Sequence, residues 1–222
     1  MTSLNEQNSK NLDFHVHTTF SDGYFSPQDV IKAAIEKKVD DICITDHYST
    51  LKPALEPFDL EEYYTSLNDL KINQSSELDI FIGLEVDVFS ADDFLNLSEF
   101  PWDLILFEYV FSVPSWEKIF TQIIDFKKQF PDYNIGLAHT RFARVSDSKF
   151  NYVTDKILEY EIIIELNTHY QNYLDRWFAY LDDAFMYSLG SDAHNLYQIG
   201  NIEPALYFLK NKNIPLDRIL TL

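Results

Sequence analysis

The chain has 222 residues, of which 46% are hydrophobic and 16% aromatic, and this supplies enough apolar side chain for one buried core. A formal charge of −19, without lysine or arginine clusters, disfavours a nucleic-acid partner, although a short oligonucleotide stays possible. The apolar runs are shorter than the roughly twenty residues that span a bilayer, so we expect no membrane partner.

The first eleven residues differ in composition from the rest of the chain. Residues 1–11 are predicted to form a polar N-terminal leader, and residues 12–222 a single domain. The leader lacks the basic start and the apolar stretch of a secretory signal, and we therefore expect a cytoplasmic protein. Cys43, the single cysteine, excludes an intrachain disulfide and is interpreted as a small core residue.

Seven apolar segments alternate with amphipathic ones. Buried parallel strands are predicted at LDFHVHT, DICITDH, DIFIGLEVDV, DLILFEYV, NIGLAHT, EIIIELN and YSLGSDAH. Helices are predicted over 27–38, 60–75, 115–129, 154–161 and 171–186, with a last helix starting near Glu203. This alternation indicates an α/β fold of βα units, and seven similar strands favour closure into a barrel.

Five of the six histidines fall at or just past the end of a predicted strand, where barrel enzymes place their active sites. Two acids share this rim, Glu85 and Asp192. Imidazoles mixed with carboxylates suit zinc, iron, manganese or nickel better than calcium. The sequence therefore predicts a metal site, and its candidate histidines are His15, His17, His47, His139 and His194.

Two local patterns strengthen this prediction. In HVH, His15 and His17 lie two residues apart on an extended segment, so both imidazoles point to the same face and can bind one cation. Glu85 has two carboxylate oxygens and could bridge two cations. Asp22 precedes a glycine in FSDGYF, which is typical of a turn, but we favour a metal ligand there.

Together these segments resemble the polymerase and histidinol phosphatase (PHP) domain family over nearly the whole chain. HVHTTFSDG is similar to the first family motif, ICITDH to the second, GLEVDV to the third, GLAHT to a segment with a further metal histidine, and GSDAH to the last. The resemblance implies a distorted seven-stranded (β/α)7 TIM-like barrel. It also implies two or three divalent metal ions, for which zinc, manganese and iron are the candidates.

The resemblance implies a distribution of ligands as well. His15, His17, Glu85 and Asp192 would surround one metal, Glu85 and His139 would contribute to a second, and Asp22, His47 and His194 would hold a third. Many family members also have a histidine at the end of the fourth strand, whereas this sequence has none between His47 and His139. Glu108 could fill that position, or it could be a partly buried acid paired with a base.

The implied activity is metal-dependent hydrolysis of a phosphate ester. The substrate would be a small phosphorylated metabolite or a short nucleotide, and the metals near His15, His17 and Asp192 would activate the attacking water. The protein acid for the leaving group and the oligomeric state are not indicated by the sequence.

Three residues are candidate substrate contacts. Arg141 follows a strand end, where its guanidinium could fork onto a phosphate. Asn167 could contact the substrate or orient a metal ligand, and His169 lies on the same face of its segment. Arg144 is interpreted instead as a solvated loop arginine.

Two other functions stay open. An amidohydrolase would use a related metal barrel but usually has a metal-bridging lysine, and no lysine lies at a predicted strand end. A structural or regulatory subunit, like the related barrel subunit of ribonuclease P, would show lost ligands. Nearly all the ligand positions are filled here, which favours catalysis.

Overall fold

The computed structural model describes residues 10–48, 58–73, 78–89, 94–174 and 176–222. The strands are β1 (Leu12–Val16), β2 (Asp41–Ile44), β3 (His47–Tyr48), β4 (Asp79–Asp87), β5 (Leu104–Glu108), β6 (Ile135–Leu137), β7 (Ile163–Asn167) and β8 (Tyr187–Gly190). The α-helices are α1 (Pro27–Glu36), α2 (Leu60–Asn73), α3 (Trp116–Gln129), α4 (Asp147–Glu159) and α5 (Glu203–Asn211). The predicted leader lies outside the described residues except for Lys10 and Asn11.

The strands form a nearly closed parallel barrel in the order β1-β2-β4-β5-β6-β7-β8, and the short β3 pairs with β4. The two ends of this order meet where Val16 pairs with Ala193, just after β8. There the backbone N–H of His17 donates to the Ala193 carbonyl at 2.9 Å. The predicted seven-stranded α/β barrel is therefore confirmed, and all its strands point their carboxyl ends to one rim.

Apolar side chains explain why these segments form strands. Every residue of β1, β2, β5, β6, β7 and β8 is buried, as expected for parallel strands covered on both faces. The helices cover the barrel with one apolar stripe each. In α1, Ser26 caps the first turn by accepting from the Asp29 N–H, Pro27 starts the helix, and Val30 and Ala34 are buried.

The helix predicted over 171–186 is wrong. Two 3-10 turns, Asn172–Leu174 and Arg176–Tyr180, occupy this segment. The chain then turns at Asp182, whose carboxylate accepts from the Ala184 N–H at 2.9 Å and whose carbonyl accepts from the Tyr187 hydroxyl at 2.9 Å. These bonds compete with helical ones and lead the chain into β8.

Helix α4 starts seven residues before the predicted position, at Asp147, because Ser146 adopts the extended backbone typical of an N-cap. No helix within the described ranges is long and apolar enough to cross a bilayer.

A buried carboxylate ties the first strand to the segment after the last one. Asp13 on β1 accepts from the backbone N–H of Ser191 at 2.9 Å, from the Ser191 hydroxyl at 2.6 Å and from the Gly200 N–H at 2.8 Å. Its side chain is fully buried. Because Ser191 directly precedes Asp192, this tie fixes the backbone on which a predicted metal ligand is mounted.

We expect Asp13→Ala to lower the free energy of unfolding by roughly 2–4 kcal/mol, since it leaves two buried donors of Ser191 and the partly buried N–H of Gly200 unsatisfied. Urea denaturation of the purified protein measures the change. Asp155→Ala, at an exposed position of α4, is the control and should stay within about 0.5 kcal/mol of the parent. Equal stability of the two variants would contradict the proposed tie.

Candidate metal centre

All nine predicted ligands converge on the barrel rim, with Glu85 at their centre. Its Oε2 atom lies 3.2 Å from His15 Nε2 and 3.5 Å from His17 Nε2. The same oxygen lies 2.9 Å from His47 Nδ1, while Oε1 lies 2.9 Å from His139 Nε2. One buried carboxylate thus contacts four imidazoles, which come from β1, the residue after β1, β3 and the segment after β6.

Asp192 closes the side of the cluster nearest to β1. Its Oδ1 atom lies 3.1 Å from His17 Nε2 and 3.8 Å from His15 Nε2, and those two nitrogens are 3.0 Å apart. The prediction that HVH presents both imidazoles to one face agrees with these distances. The three side chains are buried and form one potential binding group.

Asp22 lies at the outer side of the cluster. Its Oδ1 atom is 3.1 Å from His194 Nε2, and its Oδ2 atom is 3.4 Å from His47 Nε2. The side chain of Asp22 is 34% exposed, so this side of the cluster opens to solvent.

A second aspartate holds the loop that carries Asp22. Asp46 accepts from the Thr18 N–H and the Thr18 hydroxyl, both at 2.7 Å, and from the Ser21 hydroxyl at 2.5 Å. Gly23 lets the loop fold closely, because a Cβ there would lie 2.5 Å from the carbonyl of His17. The aspartate and glycine of FSDGYF therefore make the turn and also deliver a carboxylate to the cluster.

Glu108, the last residue of β5, lies between two histidines. Its Oε1 atom is 3.3 Å from His47 Nδ1, and its Oε2 atom is 3.6 Å from His139 Nε2. The side chain is fully buried. The carboxylate therefore occupies the place where the family resemblance leads one to expect a histidine.

Two residues of β7 support the cluster from behind. Glu165 Oε1 accepts from His15 Nδ1 at 2.6 Å, and its Oε2 accepts from the His139 backbone N–H at 2.6 Å. The Asn167 side-chain amide donates to Glu165 Oε1 and to Asp192 Oδ2, both at 3.2 Å. Sequence reasoning gave Glu165 no role, although its position two residues before Asn167 on one strand face was a usable signal.

Gly190 makes room for this support. A Cβ at Gly190 would collide with Glu165 Oε1 and would lie 2.5 Å from the Cβ of His15. A side chain at position 190 would therefore displace the hydrogen-bonded pair of His15 and Glu165, and only glycine fits there.

Backbone strain concentrates at the same rim. Tyr109, His139 and Asp192 follow β5, β6 and β8 and adopt left-handed backbone with φ of 61°, 27° and 52°. Such conformations cost roughly 1–3 kcal/mol each for residues with a side chain and are common where a site must be held in place.

The charges of the cluster favour a bound cation. Burial lowers the pKa of His15, but Glu165, Glu85 and Asp192 raise it more, so its pKa lies well above the usual range. Burial and the neighbouring His47 lower the pKa of His17 to about 3, which keeps that imidazole neutral, as metal ligation requires. The acids of the centre therefore attract positive charge to a place that also offers neutral nitrogen donors.

The donor atoms fit divalent metals. They form three groups, each within 4.8 Å, and ligands around one zinc lie about 3–4 Å apart. Glu85 Oε2 and His17 Nδ1 are buried and lack a hydrogen-bond partner among the described residues, although imidazole nitrogens crowd the glutamate oxygen. The groups are His15, His17 and Asp192; His47, Glu85 and Glu108; and His17, Asp22, His47 and His194.

The predicted substrate contacts lie in three different settings. Arg141 lines a cleft of about 410 Å³ beside His139, and Arg144 lines the same cleft. Asn167 is fully buried behind Asp192. His169 is exposed, and its ring centre lies 6.2 Å from that of His194.

Two curated proteins are similar to this chain in sequence. A probable histidinol-phosphatase of Thermotoga maritima is 28% identical over 222 residues, covering 91% of this chain and 92% of that protein. A histidinol-phosphatase of Lactococcus lactis is 28% identical over 102 residues, which cover 44% of this chain and 38% of that protein.

Solved structures show the fold. Histidinol phosphate phosphatase from L. lactis, in complex with zinc, L-histidinol and phosphate, matches with a TM-score of 0.66 at 20% identity over 93% of this chain and 95% of that one. A structure described with the metal-dependent tyrosine phosphatases YwqE of Bacillus subtilis and CpsB of Streptococcus pneumoniae matches with a TM-score of 0.59 at 19% identity, over 90% of this chain and 87% of that one. The model of the PHP domain matches residues 13–193, more than half of the sequence, and the chain therefore belongs to the PHP domain family.

Proposed function

We propose that this chain, a metal-dependent phosphoesterase of the PHP domain family, hydrolyses a monoester of a small molecule with two or three divalent metals. The observation that carries the proposal is the Glu85 carboxylate, which four imidazoles surround within 3.5 Å. The curated relatives named as histidinol-phosphatases support a small phosphorylated substrate. Zinc in the L. lactis structure supports zinc as one candidate metal, beside manganese and iron.

A neutral imidazole has one lone pair, so each histidine can serve one metal at a time. His17 and His47 each belong to two of the donor groups and must be assigned to one of them. In one assignment every imidazole is used once. His15, His17, Glu85 and Asp192 hold the first metal, His139, Glu85 and Glu108 the second, and Asp22, His47 and His194 the third.

Bound divalent metals supply Lewis-acid chemistry, which activates water near neutral pH and neutralises phosphate oxygens. The protein's own part is to position the donors. Glu165 accepts a hydrogen bond from the Nδ1–H of His15. The unprotonated Nε2 of His15 therefore directs its lone pair toward Glu85 and Asp192. Asn167 orients Asp192 and, being buried, acts as a positioning residue. Arg141 and His169 are proposed substrate contacts at the rim.

The other two functions have less support. The retained ligands count against a purely structural subunit, because acids this close together repel one another without a cation. An amidohydrolase usually has a metal-bridging lysine, and no lysine lies at the carboxyl end of a described strand.

Elemental analysis should find two or three metals per purified chain. Chelation should abolish hydrolysis of 4-nitrophenyl phosphate, and manganese, zinc or iron should restore it, because the buried acids hold the cations. His15→Ala and Asp192→Ala should lose metal and activity together. His169→Ala, at the histidine outside the donor groups, should keep its full metal content. Turnover that survives chelation and both variants would refute the proposed function.

Glu108→Ala should remove one metal per chain, because it deletes the carboxylate between His47 and His139. Glu108→His, which supplies the donor common in the family, should restore that metal. Glu117→Ala, at an exposed position of α3, is the matched control. An unchanged metal count in Glu108→Ala would show that Glu108 is a buried acid and not a ligand.

Glu165→Gln should weaken metal binding about 10–100-fold, which is the usual effect of losing the partner of a metal-bound histidine. Titration of the chelated protein with zinc measures the affinity directly. Glu161→Gln, at an exposed position shortly before β7, should bind zinc as the parent does. Equal affinities for both variants would rule out a positioning role for Glu165.

A further inference from the structure

The cleft beside the metal centre has an aromatic wall. The ring centres of Phe89 and Tyr109 lie 5.7 Å apart, those of Tyr109 and His139 5.8 Å, and those of His139 and Tyr170 4.9 Å. Phe89 and Tyr170 are about half exposed, so their faces are accessible from the cleft. These rings extend to both sides of His139, a predicted metal ligand, and provide a surface for a planar group attached to the phosphate.

Two arginines form another part of the cleft lining. The segment RFAR folds into a 3-10 turn in which the Arg144 N–H donates to the Arg141 carbonyl at 3.3 Å. Side chains three residues apart lie on the same side of such a turn. Phe142, between them, is fully buried against Phe111 and Phe178 and anchors the turn. The core packing therefore directs both guanidiniums to one side.

The charge of this lining is opposite to that of the whole protein. The chain has four arginines and a net charge of −19, yet two of the four line this one cleft. Among the described residues that line the cleft there is no aspartate or glutamate. Within the described part of the chain neither guanidinium forms an ion pair with a carboxylate. Two guanidiniums thus line the cleft, and no described carboxylate forms an ion pair with either of them.

We propose that the leaving group of the substrate carries a planar ring and a second anionic group, which Arg144 binds together with Arg141. This inference rests on the proposed function, because it assumes that the phosphoryl group lies at the metal centre. Guanidinium binds carboxylates and phosphates through two parallel hydrogen bonds. The proposed second group is therefore an anion with two oxygens that can accept these bonds, such as a carboxylate or a phosphate. A leaving group with an amine would instead face two like charges.

The test compares phenyl phosphates that differ only in the substituent at position 4. Carboxymethyl, its neutral amide, aminoethyl and phosphonomethyl substituents are assayed with the metal-loaded enzyme, and 4-nitrophenyl phosphate is the reference. The carboxymethyl substrate should have a kcat/KM about tenfold above the aminoethyl substrate, as expected for one charge-assisted hydrogen-bond pair. The phosphonomethyl substrate distinguishes a phosphate-like anion from a carboxylate.

Variants separate the cleft from the general charge of the protein. Arg144→Gln should abolish the preference for the anion, and Arg144→Glu should reverse it toward the amine. Arg218→Gln is the matched control and should retain the preference. Arg218 precedes Ile219, which pairs with Tyr187 at the start of β8, and it therefore lies at the end of the barrel opposite the metal centre.

Two outcomes overturn the inference, and they are distinguishable from failure of the proposed function. Hydrolysis of 4-nitrophenyl phosphate without preference among the substituents refutes the anionic leaving group and leaves the phosphoesterase standing. If no ester is hydrolysed, the proposed function fails, and calorimetry of the product phenols then tests whether the cleft binds an anion. Tighter binding of 4-hydroxyphenylacetate than of tyramine, lost in Arg144→Gln, supports the anion site, whereas equal binding overturns it.

Discussion

Buried carboxylates repel one another unless cations lie between them, and this constraint governs the carboxyl end of the barrel. Glu85, Glu108, Glu165 and Asp192 are all buried there. Imidazoles form ion pairs with these acids, and an imidazole carries positive charge only when it holds a second proton. A divalent metal can replace that proton and satisfies acids and neutral nitrogens together. The same electrostatic cost that would destabilise the empty rim therefore becomes the binding energy for the metals.

The barrel meets this constraint by fixing the donors before any metal binds. Parallel strands bring distant segments to one rim, and Asp13 ties the beginning of the chain to Ser191 near its end. Glu165 fixes His15, and Gly190 leaves space for that contact. The left-handed residues after β5, β6 and β8 add strain that this network must offset. Packing and hydrogen bonds elsewhere in the barrel thus maintain the geometry of the site.

The seven strands and the clustering of the nine candidate ligands could be predicted because both depend on local sequence. Buried parallel strands are short apolar runs, and candidate ligands such as His139 closely follow them. The segment 171–186 shows the limit, since apolar spacing indicated a helix while hydrogen bonds to Asp182 favour turns. The role of Glu165 depends on its contacts with His15 and with the His139 backbone, residues 150 and 26 positions away. Sequence alone does not show such pairings, and it does not show that Arg144 lines an accessible cleft.

In the proposed function, the metal centre and the cleft divide the recognition of a substrate between them. The donors come from strand ends that the fold itself brings together, so metals bound there would act on the phosphate and not on the rest of the substrate. Discrimination has to come from segments that follow the strands, here Tyr109 after β5 and the Arg141–Arg144 turn after β6. A net charge of −19 would repel an anion at long range, but salt screens exposed charges beyond about 8–10 Å. Within that distance the two guanidiniums dominate the cleft, and an anionic leaving group is attracted once it has entered.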